Sequence, residues 1–570
     1  MKFINKYLFF ILILVFSFFA FKPLLNNGFF PIHDDTQVAR TYEMTKALKD
    51  GMFPVRWSQD LGYGFGYPIF NFYDPLPYYV SGTISFLGFD ALFSTKLMVI
   101  LAILLSGFSM YLLSKEFFGK EGAIFSSLLY IMAPFHAIEV YVRGDFAENF
   151  AYAFIPLLFY GLLKIHKNYS WKYVIITAIS YAGVILSHNL TAMMVSPFVL
   201  LFISYLVFRE RKNRLGNLIK LSLGLFIGVL LSAFYSLPAI FEMKYTDVLS
   251  QVGGGANFRD HFACLSQLWI SQWGYGGSTK GCIDGLSFMI GKYHIFLSVI
   301  LFLVSVFFLF SKKYSKKLKS EKETLNFIIF LFLSFLLSVF FMLDISRPVW
   351  ELIKPMELFQ YPWRFLILAS FFASFIGGGL FFLLEKFIKN KNTYYLLVLI
   401  TCVFMVFVSL KFFVPQEILS KNSSDYTSKH ALNWEASKIS DEYLPKDFRV
   451  PEAKFQIPDI SNLTTKELSI KILERKTQYT KLDLDVVMEG NYILPLSYFP
   501  AWKAKIDGKE VEIKKGTRGS IVNFPKGKHI LEVSFVQTPI EKIANIASIA
   551  GILVLFAGII NSRPKHDKSS

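Results

Sequence analysis

His33, Asp34 and Asp35 stand about a dozen residues beyond the first apolar segment of a chain that is 54% hydrophobic and carries 63 Phe and 29 Tyr. Adjacent carboxylates beside hydrocarbon are costly to hold, and ionisable groups placed there tend to face a cavity. A carboxylate against apolar walls binds its proton more tightly and can serve as a general base. Further polar groups recur near helix ends: Glu139, Arg143, Asp145, Glu148, His188 and Arg364. Carboxylates from two loops with a histidine nearby suit a hard divalent cation, Mg or Mn. Asp35, Asp145 and Glu148 are its candidate ligands. Arg143 and Arg364 suit a phosphate or pyrophosphate leaving group, because guanidinium binds such groups in a bidentate way. His33, Arg56 and His188 complete the candidate substrate-binding set, with Asp34 and Asp35 as candidate catalytic residues. Taken singly, each also fits a plain reading, since interfacial Asp, Arg and His often only snorkel or pair.

The elements that must carry these groups are membrane helices. Apolar runs predict about twelve, near 5–22, 93–114, 121–140, 147–164, 171–187, 190–208, 217–238, 293–311, 325–343, 363–385, 393–414 and 541–560. The formal charge of +17 lies mostly in the short loops Lys164–Lys172, Arg209–Lys220, Lys312–Lys322 and Lys386–Lys391. That distribution reads as a positive-inside bias rather than a nucleic-acid surface. Alternating sides along the helices puts every one of these loops, both termini and the tail Arg563–Lys568 in the cytoplasm of a multi-pass cell-membrane protein. All the candidate site residues then fall outside. The first segment lacks an A-x-A-like cleavage site and is expected to stay as an anchor.

Residues 1–414 form the expected transmembrane domain, with outer loops at 23–92 and 241–292. In the first loop, Val38, Tyr42, Thr45 and Leu48 recur at helical spacing and predict a helix lying along the membrane. Leu61 to Pro68 alternates glycine with aromatics; it fits either a tight re-entrant turn or a stacking wall for sugar or lipid. The second loop reads as a cap and holds Cys264 and Cys282, open to a disulfide or to two free thiols. Residues 415–540 alternate in strand fashion in their later half, with a hairpin signal at Asp507-Gly508, and predict an outer β-sandwich. Residues 541–570 supply the last helix and a tail. Matches to the N-glycosylation pattern at Asn168, Asn189, Asn422 and Asn462 occur at a chance-like frequency. P-loop, dinucleotide-binding, zinc-protease and serine-hydrolase motifs are absent from the sequence.

Several segments resemble a known family. His33-Asp34-Asp35-Thr36-Gln37, Pro54-Val55-Arg56-Trp57, Gly66-Tyr67-Pro68, Arg143-Gly144-Asp145 with Glu148, Ser187-His188-Asn189 and Tyr361-Pro362-Trp363-Arg364 carry the likeness. They resemble the bacterial and archaeal membrane proteins labelled pyruvoyl-tetrahydropterin synthase-related, which are similar to YfhO-like proteins and to the GT-C superfamily of glycosyltransferases. Tyr498 to Lys503 with Asp507-Gly508 looks like the C-terminal domain of YfhO-like proteins. The synthase in the label is not to be taken literally: nine scattered His form no zinc-binding cluster.

The resemblance implies a GT-C-like enzyme taking a sugar from a polyprenyl-phosphate carrier in the bilayer. An acidic residue of the first outer loop, Asp34 or Asp35, would act, with Asp145 and Glu148 as partners. It also implies inversion at the anomeric carbon, leaves metal dependence open, and makes a cell-envelope glycan, lipid or polymer the acceptor. A flippase for lipid-linked saccharides is the main alternative, but that class shows internal repeats and midplane sites, whereas here the polar groups gather at one surface. A membrane scaffold is the other, and it leaves the carboxylates without a purpose.

Overall fold

The computed structural model describes residues 2–210, 213–311, 319–458, 460 and 464–561. Asn462, the basic stretch 312–318 and the tail Arg563–Lys568 lie outside them. Among the described residues, nine helices are long and apolar enough to cross a membrane, and Phe9–Leu25 and Trp171–Ser187 are shorter apolar helices. One of the nine, counted as Ala91–Arg143, makes two passes. Gly119 sits at φ 72° and ψ −170°, a conformation that favours glycine. The chain doubles back there, so that a Cβ on Gly107 would lie 2.5 Å from Ile131, each twelve residues from the reversal. With the two shorter helices, twelve apolar helical segments stand among the described residues where the twelve passes are expected. The expected helix 121–140 is interrupted after Ile131, and Pro134 restarts it as Pro134–Ile138.

The basic loops gather at one end of the bundle. Lys164 and Lys167 pair with Glu116 at 3.0 and 3.3 Å, Lys386 with Glu321 at 2.8 Å, and Arg209 with Glu323 at 3.2 Å. The helices Phe146–Lys167 and Leu366–Gly377 are almost wholly buried and form the enclosed centre. Lys292–Phe310 and Pro539–Asn561 turn most of their side chains outward.

The other end carries the loops and the β-domain. Gln37–Lys49 is helical as its spacing predicts, but it is packed inside the protein on nearly all sides rather than presenting one free apolar face. Val38, Arg40, Thr41, Glu43, Met44 and Ala47 are all buried, because Pro75–Phe86, Ala91–Ile131, Ser423–Thr427 and Ala431–Ala436 pack around the helix, which shares a hydrophobic core with the β-domain. Arg40 lies 3.8 Å over the ring of Tyr73 and donates to Ser440 Oγ at 3.1 Å, tying the helix to the segment before the β-domain.

Glu43 is buried on the same helix. Its Oε2 accepts from Ser58 Oγ and the Gln59 N–H at 2.8 Å and from the Asp60 N–H at 3.1 Å, while Oε1 has no partner. Burial, then the charge of Asp60, pushes its pKa from 4.5 up to about 7. A raised folded-state pKa means stability that is complete below pH 4.5 and lost as pH climbs through about 7. The loss amounts to about 3 kcal/mol. Glu43→Gln, which stays neutral, is expected to raise the thermal midpoint at pH 8 and leave it nearly unchanged at pH 4. Equal effects at both values would contradict a protonated Glu43.

Strands β1 (Leu468–Lys476), β2 (Tyr479–Val486), β3 (Gly490–Leu494), β4 (Trp502–Ile506), β5 (Lys509–Val511), β6 (Lys514–Gly516), β7 (Gly519–Phe524) and β8 (Gly527–Phe535) form two antiparallel sheets, β1-β2-β8-β4-β5 and β3-β7-β6. They share one core around Leu482, Leu484, Val522, Phe524, Leu531 and Val533. Asp507-Gly508 makes the expected two-residue hairpin, with φ 48° and 81° and Ile506 opposite Lys509. The strands begin only at Leu468. The first part of the expected 415–540 domain is instead short helical turns, such as Ser423–Thr427 and Ala431–Ala436.

The glycine-aromatic loop is the seam between the two halves, which settles its two readings in favour of a packed turn. Tyr67 is buried and donates to Ser440 O at 2.9 Å, and Ser497 N–H donates to Phe65 O at 2.9 Å. Gly66, at φ 68°, leaves its missing Cβ 2.5 Å from Trp57 Nε1 and 2.8 Å from Ser58 O.

Candidate active site

The site is built on a break in a helix. After Pro134–Ile138, residues Glu139–Arg143 wind as a π-turn, a form common at functional sites, and Gly144 ends it at φ 67°. A helix end leaves carbonyls without partners. Here the first loop satisfies them: the N–H of His33 donates to Val142 O at 3.1 Å, and that of Asp34 to Arg143 O at 3.0 Å. Gln37 Nε2 donates to Gly144 O at 2.7 Å, and Tyr78 OH donates to Gln37 Oε1 at 2.6 Å. Backbone and amide bonds thus clamp Asp34 against the turn.

Arg143 is the hub. Its Nη1 donates to Glu139 Oε1 at 2.5 Å and Glu148 Oε2 at 2.7 Å, and its Nη2 to Asp145 Oδ2 at 2.9 Å. Its guanidinium lies 4.9 Å over the ring of Trp363. Arg364 Nε stands 3.9 Å from Glu148 Oε2, and His188 Nε2 stands 3.9 Å from Asp145 Oδ2. Asp145 and His188 also cap the helices that follow them, accepting from the N–H of Glu148 at 3.0 Å and of Thr191 at 3.2 Å. Two positive helix ends therefore point into the cluster. Burial would raise the pKa of Asp145, but Arg143 first, then His188 and Arg364, hold it at about 2. Burial pushes His188 below its ordinary range against the pull of Asp145 and Glu148.

Asp34 differs from these partners. It is half-buried, and its carboxylate makes no hydrogen bond or ion pair among the described residues. Burial, then the charge of Asp145, raises its pKa, against Arg143, Arg40 and Arg364. Asp35 turns the other way, to Lys421 Nζ at 3.6 Å, and so stands apart from Asp145 and Glu148 as a ligand. His33 lies at the rim, with Nε2 2.9 Å from Tyr275 O of the cap.

Arg56, expected at the substrate, is buried elsewhere. It donates to Asn71 Oδ1 at 2.7 Å and Asn545 Oδ1 at 2.8 Å and pairs with Glu541 at 3.6 Å, joining the first loop to the last helix. Its charge is absorbed by that joint.

Four groups were not singled out as site residues: Glu139, Trp363, Gln37 and Arg40. The i, i+4 spacing of Glu139 and Arg143 was a usable signal. Gln37 and Trp363 stand in the segments that carry the family resemblance, but nothing in them gave a role, which depends on a contact 107 residues away for Gln37 and one across the bundle for Trp363.

Three ionised carboxylates facing two guanidiniums already leave one excess negative charge, and an ionised Asp34 would make it two. Among the described residues, Glu148 Oε1, Glu139 Oε2 and Arg364 Nε are buried without hydrogen-bond partners, which is costly unless a ligand or water meets them. Donor atoms of Asp145, Glu148 and His188 lie within 4.8 Å of one another and could hold a metal ion. A cation on His188 Nε2 would need the tautomer with a proton on Nδ1, which would donate to Thr191 Oγ1, 2.7 Å away, and give up the capping bond that Nδ1 accepts from the Thr191 N–H. It would also compete with Arg143 for both carboxylates.

Residues 70–267 match the family described as the 6-pyruvoyl-tetrahydropterin synthase related domain, a membrane protein. That segment holds Arg143, Asp145, Glu148 and His188; Asp34, Asp35 and Arg364 lie outside it. An uncharacterized protein of Lactococcus lactis subsp. cremoris (strain MG1363) is 30% identical over 246 residues, 41% of this chain and 40% of that relative. Three solved structures are similar at low identity. The arabinofuranosyltransferase AftD from Mycobacteria is 10% identical with a TM-score of 0.45, over 73% of this chain and 28% of that one. The Archaeoglobus fulgidus oligosaccharyltransferase, tethered with an acceptor peptide, is 10% identical with a TM-score of 0.44, over 80% and 61%. ArnT from Cupriavidus metallidurans bound to undecaprenyl phosphate is 12% identical with a TM-score of 0.32, over 65% and 77%.

Proposed function

We propose that this protein is an integral-membrane glycosyltransferase that moves a sugar from a polyprenyl-phosphate-linked donor to a cell-envelope glycan, lipid or polymer. The cluster end faces outside the cell membrane, and both termini are cytoplasmic. The observation that carries the reading is Asp34: its backbone is clamped beside a charged cluster, and its carboxylate makes no hydrogen bond or ion pair among the described residues. A base must be positioned and free to accept a proton, and a raised proton affinity suits it. Asp34 takes the proton of the acceptor hydroxyl as the oxygen attacks the anomeric carbon. The bond from that carbon to the phosphate oxygen breaks on the opposite face, with inversion, and polyprenyl phosphate leaves. Arg364, whose Nε has no hydrogen-bond partner, meets the phosphate; Arg143 is already engaged by three carboxylates.

A divalent cation, if the enzyme uses one, would be held by Asp145, Glu148 and His188, and a histidine ligand favours Mn over Mg. Its chemistry would be to neutralise the leaving phosphate. The resemblance of the segments around Asp34, Asp145, His188 and Arg364 to the GT-C superfamily supports the same reaction class.

The test is a reconstituted assay. The protein in lipid vesicles receives labelled polyprenyl-phosphate sugar and cell-envelope extract, with and without a chelator. Label should pass to extract material as polyprenyl phosphate is released. If no donor is consumed and lipid-linked sugar instead crosses the bilayer, the chain is a transporter. Full activity in chelator would remove the cation from the scheme.

A further inference from the structure

The cap over the cluster carries an apolar surface that the transfer reaction does not use. Leu265, Trp269, Ile270 and Ile283 are exposed, Leu265 at 68% and Ile270 at 62%. Ile345 and Leu352, on the neighbouring segment before Pro362, are exposed at 73% and 82%. The two segments are one packed unit: Phe258 stacks on Trp350 at 5.4 Å, and Arg259 Nε pairs with Glu351 at 3.0 Å. Cys264 and Cys282 are joined in a disulfide that closes the cap.

The position of this surface decides its occupant. The N–H of Ile290 donates to Leu268 O at 3.1 Å, just before the helix Lys292–Phe310. The N–H of Ala263 donates to Met342 O at 2.9 Å, the last residue of Lys322–Met342. Both helices turn exposed apolar residues such as Phe296, Leu303 and Leu336 outward. The exposed cap residues therefore continue a lipid-facing surface past the helix ends. Soluble surfaces rarely turn so many large apolar side chains of neighbouring segments into water, whereas Trp among aliphatic residues is a common interfacial composition. Arg259 and Lys280 are paired with Glu351 and Asp260, which lowers the cost of holding them near hydrocarbon.

We infer that the disulfide-closed cap is seated in the lipid leaflet at the cluster end, through Leu265, Trp269, Ile270 and their neighbours, and is not a free aqueous lid. The same cap reaches the site: between its two cysteines, Tyr275 meets His33 Nε2 through its carbonyl at 2.9 Å and donates its OH to Val414 O at 2.8 Å. It thus links the leaflet to the residue beside Asp34. The seating does not depend on the transfer reaction.

Photocrosslinking tests it. Benzoylphenylalanine is placed singly at Leu265, Ile270, Leu303 and Lys509 of the full chain in phosphatidylethanolamine–phosphatidylglycerol vesicles. Molecules that have formed the Cys264–Cys282 disulfide are selected before irradiation, and lipid adducts are read by mass. Adduct yields at 265 and 270 should lie within about twofold of 303 and about tenfold above 509. Yields at 265 and 270 that match 509, while 303 still crosslinks, would overturn the seating.

Discussion

Asp34→Asn is expected to lower sugar transfer by about 10²- to 10⁴-fold, the range for removing a positioned general base. The protein should stay as stable as the parent to within about 0.5 kcal/mol. Two features separate these effects. The Asp34 carboxylate makes no ion pair or hydrogen bond whose loss would destabilise the fold, and its structural contact is the backbone bond to Arg143 O, which Asn keeps. Asp35→Asn is the control, since Asp35 pairs with Lys421 at the rim. A partly exposed pair contributes about 0–1 kcal/mol, so transfer should remain within about twofold of the parent. The pH profile adds an independent check. A base works when deprotonated, so with its pKa raised by burial and by Asp145 the acid limb should fall above the usual Asp range and vanish in Asp34→Asn. Loss of transfer in Asp35→Asn alone would exchange the two roles, and full transfer in both would remove the base from this loop.

Arg143→Met should act on stability rather than on a single step. It strips the partner from Glu139, Asp145 and Glu148, three buried carboxylates within 2.5–2.9 Å of one guanidinium. Breaking a buried pair by removing one partner costs about 3–5 kcal/mol, because the other charge stays behind uncompensated. The expected outcome is a sharp fall in the thermal midpoint and in folded yield from detergent. Arg143→Lys should recover only part of this, since an ammonium lacks the fork that reaches three carboxylates. Adding Glu148→Gln to Arg143→Met should restore stability beyond the additive expectation, as contacting residues couple. Parental stability in Arg143→Met would mean the carboxylates are held by something other than this guanidinium.

The helices and the twelve passes were legible because each pass is a local property: an apolar run long enough for hydrocarbon with its backbone bonds made internally. Their ends were less so. Pro134 broke the run at 121–140, and the π-turn that follows shapes the site. The β-hairpin at Asp507-Gly508 was legible because two left-handed residues are a demand of the turn itself. The buried helix at Gln37–Lys49 was legible as a helix but not as a buried one. Its periodicity is the same on a membrane or beneath a β-domain, and only the packing partner differs.

Residue types near helix ends identified the candidate chemistry, because ionisable groups beside lipid are rare and expensive. What the types could not say was who meets whom. Arg56 and Arg143 look alike in the sequence, yet one closes a joint with Asn545, 489 residues away, and the other gathers three carboxylates. Asp34 and Asp35 are neighbours, yet one enters the cluster and the other faces Lys421. Cys264 and Cys282 became a disulfide once folding brought their Cα atoms to 5.6 Å. Hydrophobic burial along the chain determined the elements from sequence alone. Charge pairing and side-chain direction act across a few ångströms between distant segments, so only the tertiary structure decided the site.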